Sequence, residues 1–365
     1  MDPIRVLQVV TIMNRGGLET MIMNYYRKID RTKIQFDFIV HRMERGDYDD
    51  EIEAMGGKIY RMVNIRPGNY HKYFKQLDEF FKIHNEYKVV HSHINENSGF
   101  VLRAAKKYGI ECRIAHSHLS DLKLDYKYPF RIYGRYYLNK YVNEYFACSK
   151  RAGQWLFKNP KKNIIVLNNA VDVNSFKINK EKRLKLRTEL NLNDKFVIGH
   201  VGRFNPQKNH TFLIDIFSEI YKKKENAVLL LIGEGYLLQE IKEKVKKLNL
   251  QDKVLFLGLR SDIPDLMQSM DLFLFPSLYE GLPVVLIEAQ AAGLKIVTST
   301  GVTKETDLTN SLEFYDLQCT SKEWADKILS LDTKKIDYSE ILRKKGYDSN
   351  TNASWLVDFY MRYYV

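Results

Sequence analysis

The chain has 365 residues, 45% of them hydrophobic and 28% charged, and a formal net charge of +12. That length exceeds one compact core and suits two domains, and the composition excludes a disordered or low-complexity chain. The excess of Lys and Arg favours an anionic partner, whether nucleic acid, an acidic membrane face or a phosphorylated small molecule, and by itself chooses none of them.

The opening Met1-Asp2-Pro3 has no basic leader or small-residue cleavage site, so the apolar run after it reads as a buried strand, Arg5–Val10, and not as a signal peptide. Further strands are expected at Gln35–Val40, Tyr87–His91, Arg113–His116, Tyr145–Cys148 and Ile164–Asn168. Helical stretches lie between them at Leu18–Arg27, Tyr73–Asn85, Ser98–Tyr108 and Phe130–Tyr141. After the turn-like Asn169-Ala170-Val171-Asp172 comes a charged helix, Lys180–Leu190. A second series follows, with strands Phe196–Val201, Ala227–Ile232, Val254–Leu257, Leu272–Phe275 and Lys295–Thr298. Its helices are Asn209–Tyr221, Leu237–Leu248, Ile263–Gln268 and Pro283–Ala292, and a last aromatic helix spans Ala353–Val365. Strands that are apolar without alternation suit parallel sheets covered on both faces. The pattern predicts two doubly wound α/β domains, 1–172 and 173–349, with the terminal helix 350–365 returning to the first. Ligands bind such sheets at the carboxyl ends of their strands, so two facing domains would make a cleft.

No stretch approaches the roughly 20 uninterrupted apolar residues of a membrane span. Cys112, Cys148 and Cys319 are scattered and odd in number, which fits core thiols in a reducing cytoplasm better than disulfides or a zinc site. A cytoplasmic protein is expected.

Three loops could carry chemistry. Asn14-Arg15-Gly16-Gly17-Leu18 opens a helix after the first strand, where Gly17 lets backbone N–H groups approach an anion; a plain tight turn is the competing reading. It is not Gly-x-Gly-x-x-Gly, which argues against a dinucleotide-binding first domain. Gly202-Arg203-Phe204-Asn205-Pro206-Gln207-Lys208-Asn209-His210 follows the first strand of the second domain, and its Arg203 and Lys208 could converge on a diphosphate. Phe275-Pro276-Ser277-Leu278-Tyr279-Glu280-Gly281-Leu282-Pro283 ends a strand and opens a helix, with Pro283 in its first turn. That arrangement places Glu280 in the loop and Glu288 on the second turn. Carboxylates there can accept from sugar or ribose hydroxyls, and the free N–H groups of Gly281 and Leu282 can face phosphate oxygens.

Glu280-x7-Glu288 with its intervening Gly-Leu-Pro, Gly202-Arg203 with Lys208, Asn169-Ala170-Val171-Asp172 and Arg15-Gly16-Gly17-Leu18-Glu19 together resemble the retaining sugar-nucleotide glycosyltransferases of family four. "NRGGLETMIMNYY", "FDFIVH" and "RIAHSH" look most like members that build bacterial exopolysaccharide or capsule. The resemblance spans nearly the whole chain and implies the GT-B fold, a nucleoside-diphosphate-sugar donor, UDP-linked, and no metal or other cofactor. It implies that Arg203 and Lys208 bind the donor diphosphate, Glu288 the ribose hydroxyls and Glu280 the hydroxyls of the transferred sugar. Gly17, Gly202, Gly281, Leu282 and Pro283 would line the phosphates and sugar, His118 would lie beside the donor sugar, and Gly258–Ile263, with Arg260 and Ile263, would meet the base. The chain has Ala170 where many relatives have Gly, so its hinge backbone is expected to differ slightly.

His91, His93, His116 and His118 sit two apart on strand ends, a spacing that could hold a metal; the absence of acidic or thiol companions and the family's metal-free habit argue for none. Asp47-Tyr48-Asp49, formally an Asp-x-Asp, reads as a solvated loop. Asp125–Tyr141 interleaves cations with aromatics, as a helix lying on an anionic membrane would, and an amphipathic helix packed on the sheet is the competing reading. The implied acceptor is a hydroxyl of a growing, lipid-linked glycan. Alternatives are a sugar-nucleotide epimerase or hydrolase of the same fold, and a non-catalytic binder of acidic polymer. The paired Glu and the Arg/Lys loop have no role in the second, and nucleic acid is not expected as a partner.

Overall fold

The structure, a computed structural model, describes residues 2–118, 128–158, 160 and 162–364. It divides into two compact units: Met1–Ala170 with Ser349–Val365, and Val171–Asp348. The first unit runs β1 (Ile4–Val9), α1 (Gly17–Tyr26), β2 (Ile34–Val40), α2 (Asp49–Ala54), β3 (Ile59–Arg61), α3 (Tyr70–Ile83), β4 (Val89–Ser92) and α4 (Ser98–Lys107). It continues through β5 (Cys112–Ser117), α5 (Tyr128–Tyr141), β6 (Glu144–Ala147), α6 (Lys150–Leu156) and β7 (Ile165–Val166). The second unit begins with α7 (Val173–Phe176), α8 (Lys180–Glu189), β8 (Phe196–Val201), α9 (His210–Lys223), β9 (Ala227–Ile232), α10 (Leu238–Lys247) and β10 (Val254–Phe256). It ends with α11 (Ile263–Ser269), β11 (Leu272–Phe275), α12 (Val284–Ala291), β12 (Lys295–Ser299), β13 (Leu312–Tyr315), α13 (Ser321–Leu329) and α14 (Ser339–Lys344), after which α15 (Ser349–Met361) belongs to the first unit.

Each unit holds one parallel sheet. The strand order is β3-β2-β1-β4-β5-β6-β7 in the first and β10-β9-β8-β11-β12-β13 in the second. In both, the chain winds outward from the first strand in one direction and then in the other, so the order reverses at β1/β4 and at β8/β11. These are the points where loops diverge and leave room for a ligand at the strands' carboxyl ends. The central strands are buried throughout because helices cover both faces. All seven residues of β2 are buried, including Asp37, whose carboxylate is held by two hydrogen bonds of 2.5 Å from Arg5 and one of 2.7 Å from Tyr87.

The terminal helix begins at Ser349, four residues before the expected start, and its Ala353, Leu356, Phe359 and Tyr360 join the first unit's core beside Val6, Ile22, Phe36 and Phe146. Each large apolar side chain so buried contributes roughly 2 kcal/mol. Ala170 is fully buried and does not take the left-handed backbone that Gly would permit, so the substitution at this join is accommodated without strain. Cys112 and Cys148 are buried and Cys319 is partly buried, and none of the three is in a disulfide among the described residues. Asp47-Tyr48-Asp49 corrects its sequence reading in part. Asp47 is exposed and accepts the Arg15 N–H at 2.9 Å, whereas Asp49 is only 1% exposed and pairs with Arg61 at 2.5 Å, so the second acid is folded inward.

Candidate active site

In the second unit, the loops that leave β8, β9 and β10 are knitted together by backbone bonds. Gly202 N–H donates to Ile232 O at 2.9 Å, Phe204 N–H to Glu234 O at 2.8 Å, and Gly233 N–H to Gly258 O at 2.9 Å. Gly233 has a φ of +136°, and a Cβ there would lie 2.2 Å from Gly202 O. Only glycine lets the two loops approach so closely. Gly233-Glu234-Gly235 was not singled out from sequence, although a Gly-x-Gly directly after a buried strand is the signal that would have marked it.

The β8 loop is strapped equally firmly to the β11 loop across the switch point. Leu278 N–H donates to Gln207 O at 2.8 Å, Gln207 Nε2 to Tyr279 O at 3.0 Å, and Asn209 Nδ2 to Pro276 O at 3.2 Å. Asn205 Oδ1 accepts the Lys208 N–H at 3.2 Å, which turns the loop so that the lysine leads into α9. The outcome is an ion pair of 2.6 Å between Lys208 Nζ and Glu280 Oε1, with side chains 16% and 10% exposed. Lys208 Nζ also sits 4.5 Å from the centre of the Phe275 ring, a cation–π contact that limits its swing. Gly202 lies directly beneath it, since a Cβ there would be 3.3 Å from the lysine's methylenes.

The remaining expected residues fall around this pair. Arg203 is exposed, and its guanidinium makes no hydrogen bond or ion pair among the described residues. Lys208 thus grips Glu280, while Arg203 has no such partner among the described residues. Gly281 faces open space, and neither its N–H nor that of Leu282 is bonded among the described residues. Pro283 is the N-cap of α12 and not a first-turn residue, a shift of one position that leaves Glu288 on the second turn. Glu288 is partly buried, and its carboxylate has no hydrogen-bond or salt-bridge partner among the described residues. Burial pushes its pKa up from 4.5 to about 7. The two carboxylates thus differ in kind: Glu280 has a protein cation, and Glu288 has none among the described residues. Arg260 forms a two-pronged pair with Asp262 at 2.6 and 2.7 Å just before α11, whose first residue is Ile263.

Two histidines given no role from sequence lie under the β8 loop. His200 donates its Nδ1–H to Leu274 O at 2.9 Å and keeps Nε2 unpaired, and His210 stacks on Phe204 with ring centres 4.0 Å apart. Burial holds the imidazolium form down in both, to about 4 for His210, so neither competes with Lys208 as a cation.

In the first unit, Gly17 is the first residue of α1, preceded by Gly16 as N-cap. His118 follows β5 and donates its backbone N–H to Asn95 Oδ1 at 3.0 Å. It closes a buried cluster with His91, His93 and His116, whose ring centres lie 4.1 to 5.3 Å apart where they touch.

Known proteins match both units. Residues 15–175 fit the model described as Glycosyltransferase Family 4, and residues 182–348 the model of Glycosyl transferases group 1. EpsF of Bacillus subtilis (strain 168), which is named a glycosyltransferase, is 34% identical over 98% of this chain and 96% of its own length. This chain belongs to the glycosyltransferases. The glycosyltransferase is also 27% identical to CapH of Staphylococcus aureus, named for capsular polysaccharide biosynthesis, over 98% of this chain and 99% of that one. It is 28% identical, over 73% of this chain and 72% of the other, to the Escherichia coli UDP-Gal:alpha-D-GlcNAc-diphosphoundecaprenol alpha-1,3-galactosyltransferase. Among solved structures, Anabaena Alr3699/HepE in complex with UDP superposes with a TM-score of 0.79 at 19% identity, covering 97% of this chain and 99% of that one, which establishes the GT-B fold.

Proposed function

We propose that this glycosyltransferase moves a sugar from a UDP-linked donor to a hydroxyl of a growing lipid-linked glycan, in exopolysaccharide or capsule synthesis, with retention at the anomeric carbon and without a metal. The observation that carries the reading is the pair of strapped loops at the β8/β11 switch point, which offers Lys208 aligned on Glu280 together with a free cation, Arg203, and a free carboxylate, Glu288. A ligand that supplies both an anion and hydroxyl donors completes this set, and a nucleoside diphosphate sugar does so. Arg203 and Lys208 stabilise the negative charge that grows on the leaving diphosphate as the C1–O bond breaks. The acceptor oxygen bonds to C1 from the same face, and its proton passes to a departing phosphate oxygen. Glu280 receives sugar hydroxyls, Glu288 the ribose diol, the amides of Gly281 and Leu282 the phosphates, and the Arg260–Ile263 segment the base. His118 takes the role beside the donor sugar that the family resemblance gives it. The UDP in the HepE complex, the UDP-linked donor and undecaprenol-linked acceptor named for the E. coli relative and the capsular role named for CapH all support this reading.

The test is to incubate the protein with UDP-, GDP- and TDP-sugars and an undecaprenyl-diphosphate glycan, with and without EDTA. Transfer from a UDP-sugar with the donor's anomeric configuration, undiminished by EDTA, is expected. Inverted product, or release of free sugar without transfer, would sink the proposal.

The working place is the cytoplasmic side of an anionic membrane. No helix among the described residues is long and apolar enough to cross one. The segment 125–127 of the aromatic-basic stretch lies outside the described residues; the rest is α5. A close approach of α4 and α5, with Gly134 O 2.6 Å from where a Gly99 Cβ would be, buries Gly134 and Leu138 and leaves Tyr128, Phe130, Ile132, Tyr133 and Tyr136 exposed. Arg135 is drawn inward onto Trp155, so the outer face is mainly aromatic, with Lys140 exposed towards its end. Such a face suits the interface between headgroups and acyl chains. Flotation with vesicles containing phosphatidylglycerol should carry the wild type upward, and Phe130→Ser with Ile132→Ser and Tyr136→Ser should reduce the bound fraction about tenfold or more. Equal flotation of the two proteins would remove the membrane from the account.

A further inference from the structure

Gln8 stands opposite His91 in the β1/β4 register, and α15 brings Tyr360 onto the same face. Six buried or partly buried side chains there form one continuous hydrogen-bonded chain. His118 Nε2 meets His93 Nδ1 at 3.0 Å, His93 Nε2 meets Gln8 Oε1 at 2.9 Å, and Gln8 Nε2 reaches Tyr360 Oη at 3.5 Å. Tyr360 Oη in turn meets His91 Nδ1 at 2.6 Å, and His91 Nε2 meets His116 Nδ1 at 3.1 Å. The two ends, His118 Nδ1 and His116 Nε2, are buried and have no partner among the described residues.

Only the Gln8 amide has a fixed donor and a fixed acceptor, so its orientation sets the direction of every other bond. An amide oxygen can only accept, which makes His93 Nε2 the protonated nitrogen and leaves His93 Nδ1 a lone pair. His118 must then donate from Nε2. Burial disfavours the charged imidazolium at all four positions, so each ring carries a single proton and His118 Nδ1 is left as an acceptor. The same logic runs the other way: the Gln8 amide donates to Tyr360, Tyr360 to His91 and His91 to His116, whose free Nε2–H remains a donor.

We infer that Gln8 and His93 are positioning residues which hold His118 in the Nε2–H tautomer, so that it presents an obligate hydrogen-bond acceptor to a hydroxyl of its ligand, while Tyr360 and His91 hold His116 as the complementary donor. The ligand part of this inference rests on the donor-sugar reading above; the tautomer part does not. A metal is the rival use of these rings, since nitrogens of His91, His93 and His116 lie within 4.8 Å of one another. The nearly parallel stacking of His91 on His93, 23° apart with centres at 4.2 Å, suits a hydrogen-bonded stack better than rings pointed at one ion.

The test is nitrogen–proton correlation spectroscopy on ¹⁵N-histidine-labelled full-length protein, with His118→Gln to assign the signal, beside steady-state kinetics. The wild type should show His118 as Nε2–H. Gln8→Met should mix its tautomers and lower kcat/KM about tenfold, the worth of one well-made hydrogen bond, with little change in melting temperature. Tyr360→Phe should alter His91 and His116 and leave the His118 tautomer unchanged. An Nδ1–H signal for His118 in the wild type, an unchanged tautomer in Gln8→Met, or stoichiometric zinc retained after dialysis would each overturn the inference. Absence of UDP binding by calorimetry, with the tautomers as expected, would overturn the donor reading alone.

Discussion

Replacing Lys208 with alanine is expected to lower turnover about a thousandfold, because a preorganised cation aimed at developing negative charge typically contributes that much. The same change should also destabilise the protein, for a separate reason. Lys208 and Glu280 form a pair of 2.6 Å that is mostly shielded from water, and removing one partner strands the other's charge, at a cost of about 3 kcal/mol. The two effects come apart in the double variant Lys208→Ala with Glu280→Gln. It no longer strands a charge, so its melting temperature should return most of the way to the wild-type value, while turnover stays low. Arg203→Ala provides the contrast: its side chain is exposed and has no partner among the described residues, so stability should not change while turnover falls about a hundredfold. A double variant that recovers both stability and turnover would show that Lys208 matters only for holding the loop.

The parts of this arrangement that could be read from sequence are those encoded locally. Fully apolar runs such as Ala227–Ile232 announce strands covered on both faces, and the Gly-Leu-Pro before Val284 announces a loop turning into a helix. What escaped was encoded in partners far apart in the chain or in short edges. β3 is three residues long and partly exposed, and β13 interrupts its apolar pattern with Glu313, so neither carries a strong period. Asp49 looks like a solvated acid until Arg61 is folded against it. The contact between Gln8 and Tyr360 joins residues 352 positions apart, and no local pattern hints at it. The two glutamates show the limit most clearly. Sequence reasoning marks both as acceptors for a ligand's hydroxyls, and only the fold assigns one of them to Lys208 and leaves the other waiting.

That waiting carboxylate leads to the second large effect. Glu288→Gln should make the unliganded protein more stable above neutral pH and its donor binding much weaker. Burial raises the folded-state pKa of Glu288 to about 7, against 4.5 for the ordinary value, so the folded chain keeps a proton that the unfolded chain has already lost. Between those two values stability falls as pH rises; the penalty is absent below 4.5 and fully developed above 7. Its size above neutrality is on the order of 1–3 kcal/mol, and glutamine escapes it because it never ionises. The melting temperatures of the variant and the wild type should therefore coincide near pH 4.5 and diverge in the variant's favour by pH 8. Donor binding runs in the opposite sense, since an ionised carboxylate accepts both hydroxyls of a diol and stabilises them more than an amide oxygen can. Wild-type affinity for UDP should rise with pH through about 7 and release a proton on binding, whereas the variant should bind ten- to a hundredfold more weakly with a flat pH profile. Calorimetry in two buffers of different ionisation enthalpy would measure that proton. A variant no more stable at pH 8, with unaltered affinity, would mean that Glu288 has a partner in solution and is not held in reserve for a ligand. A carboxylate kept half out of water, without a partner and at a cost to stability, is otherwise hard to reconcile with a purely structural helix.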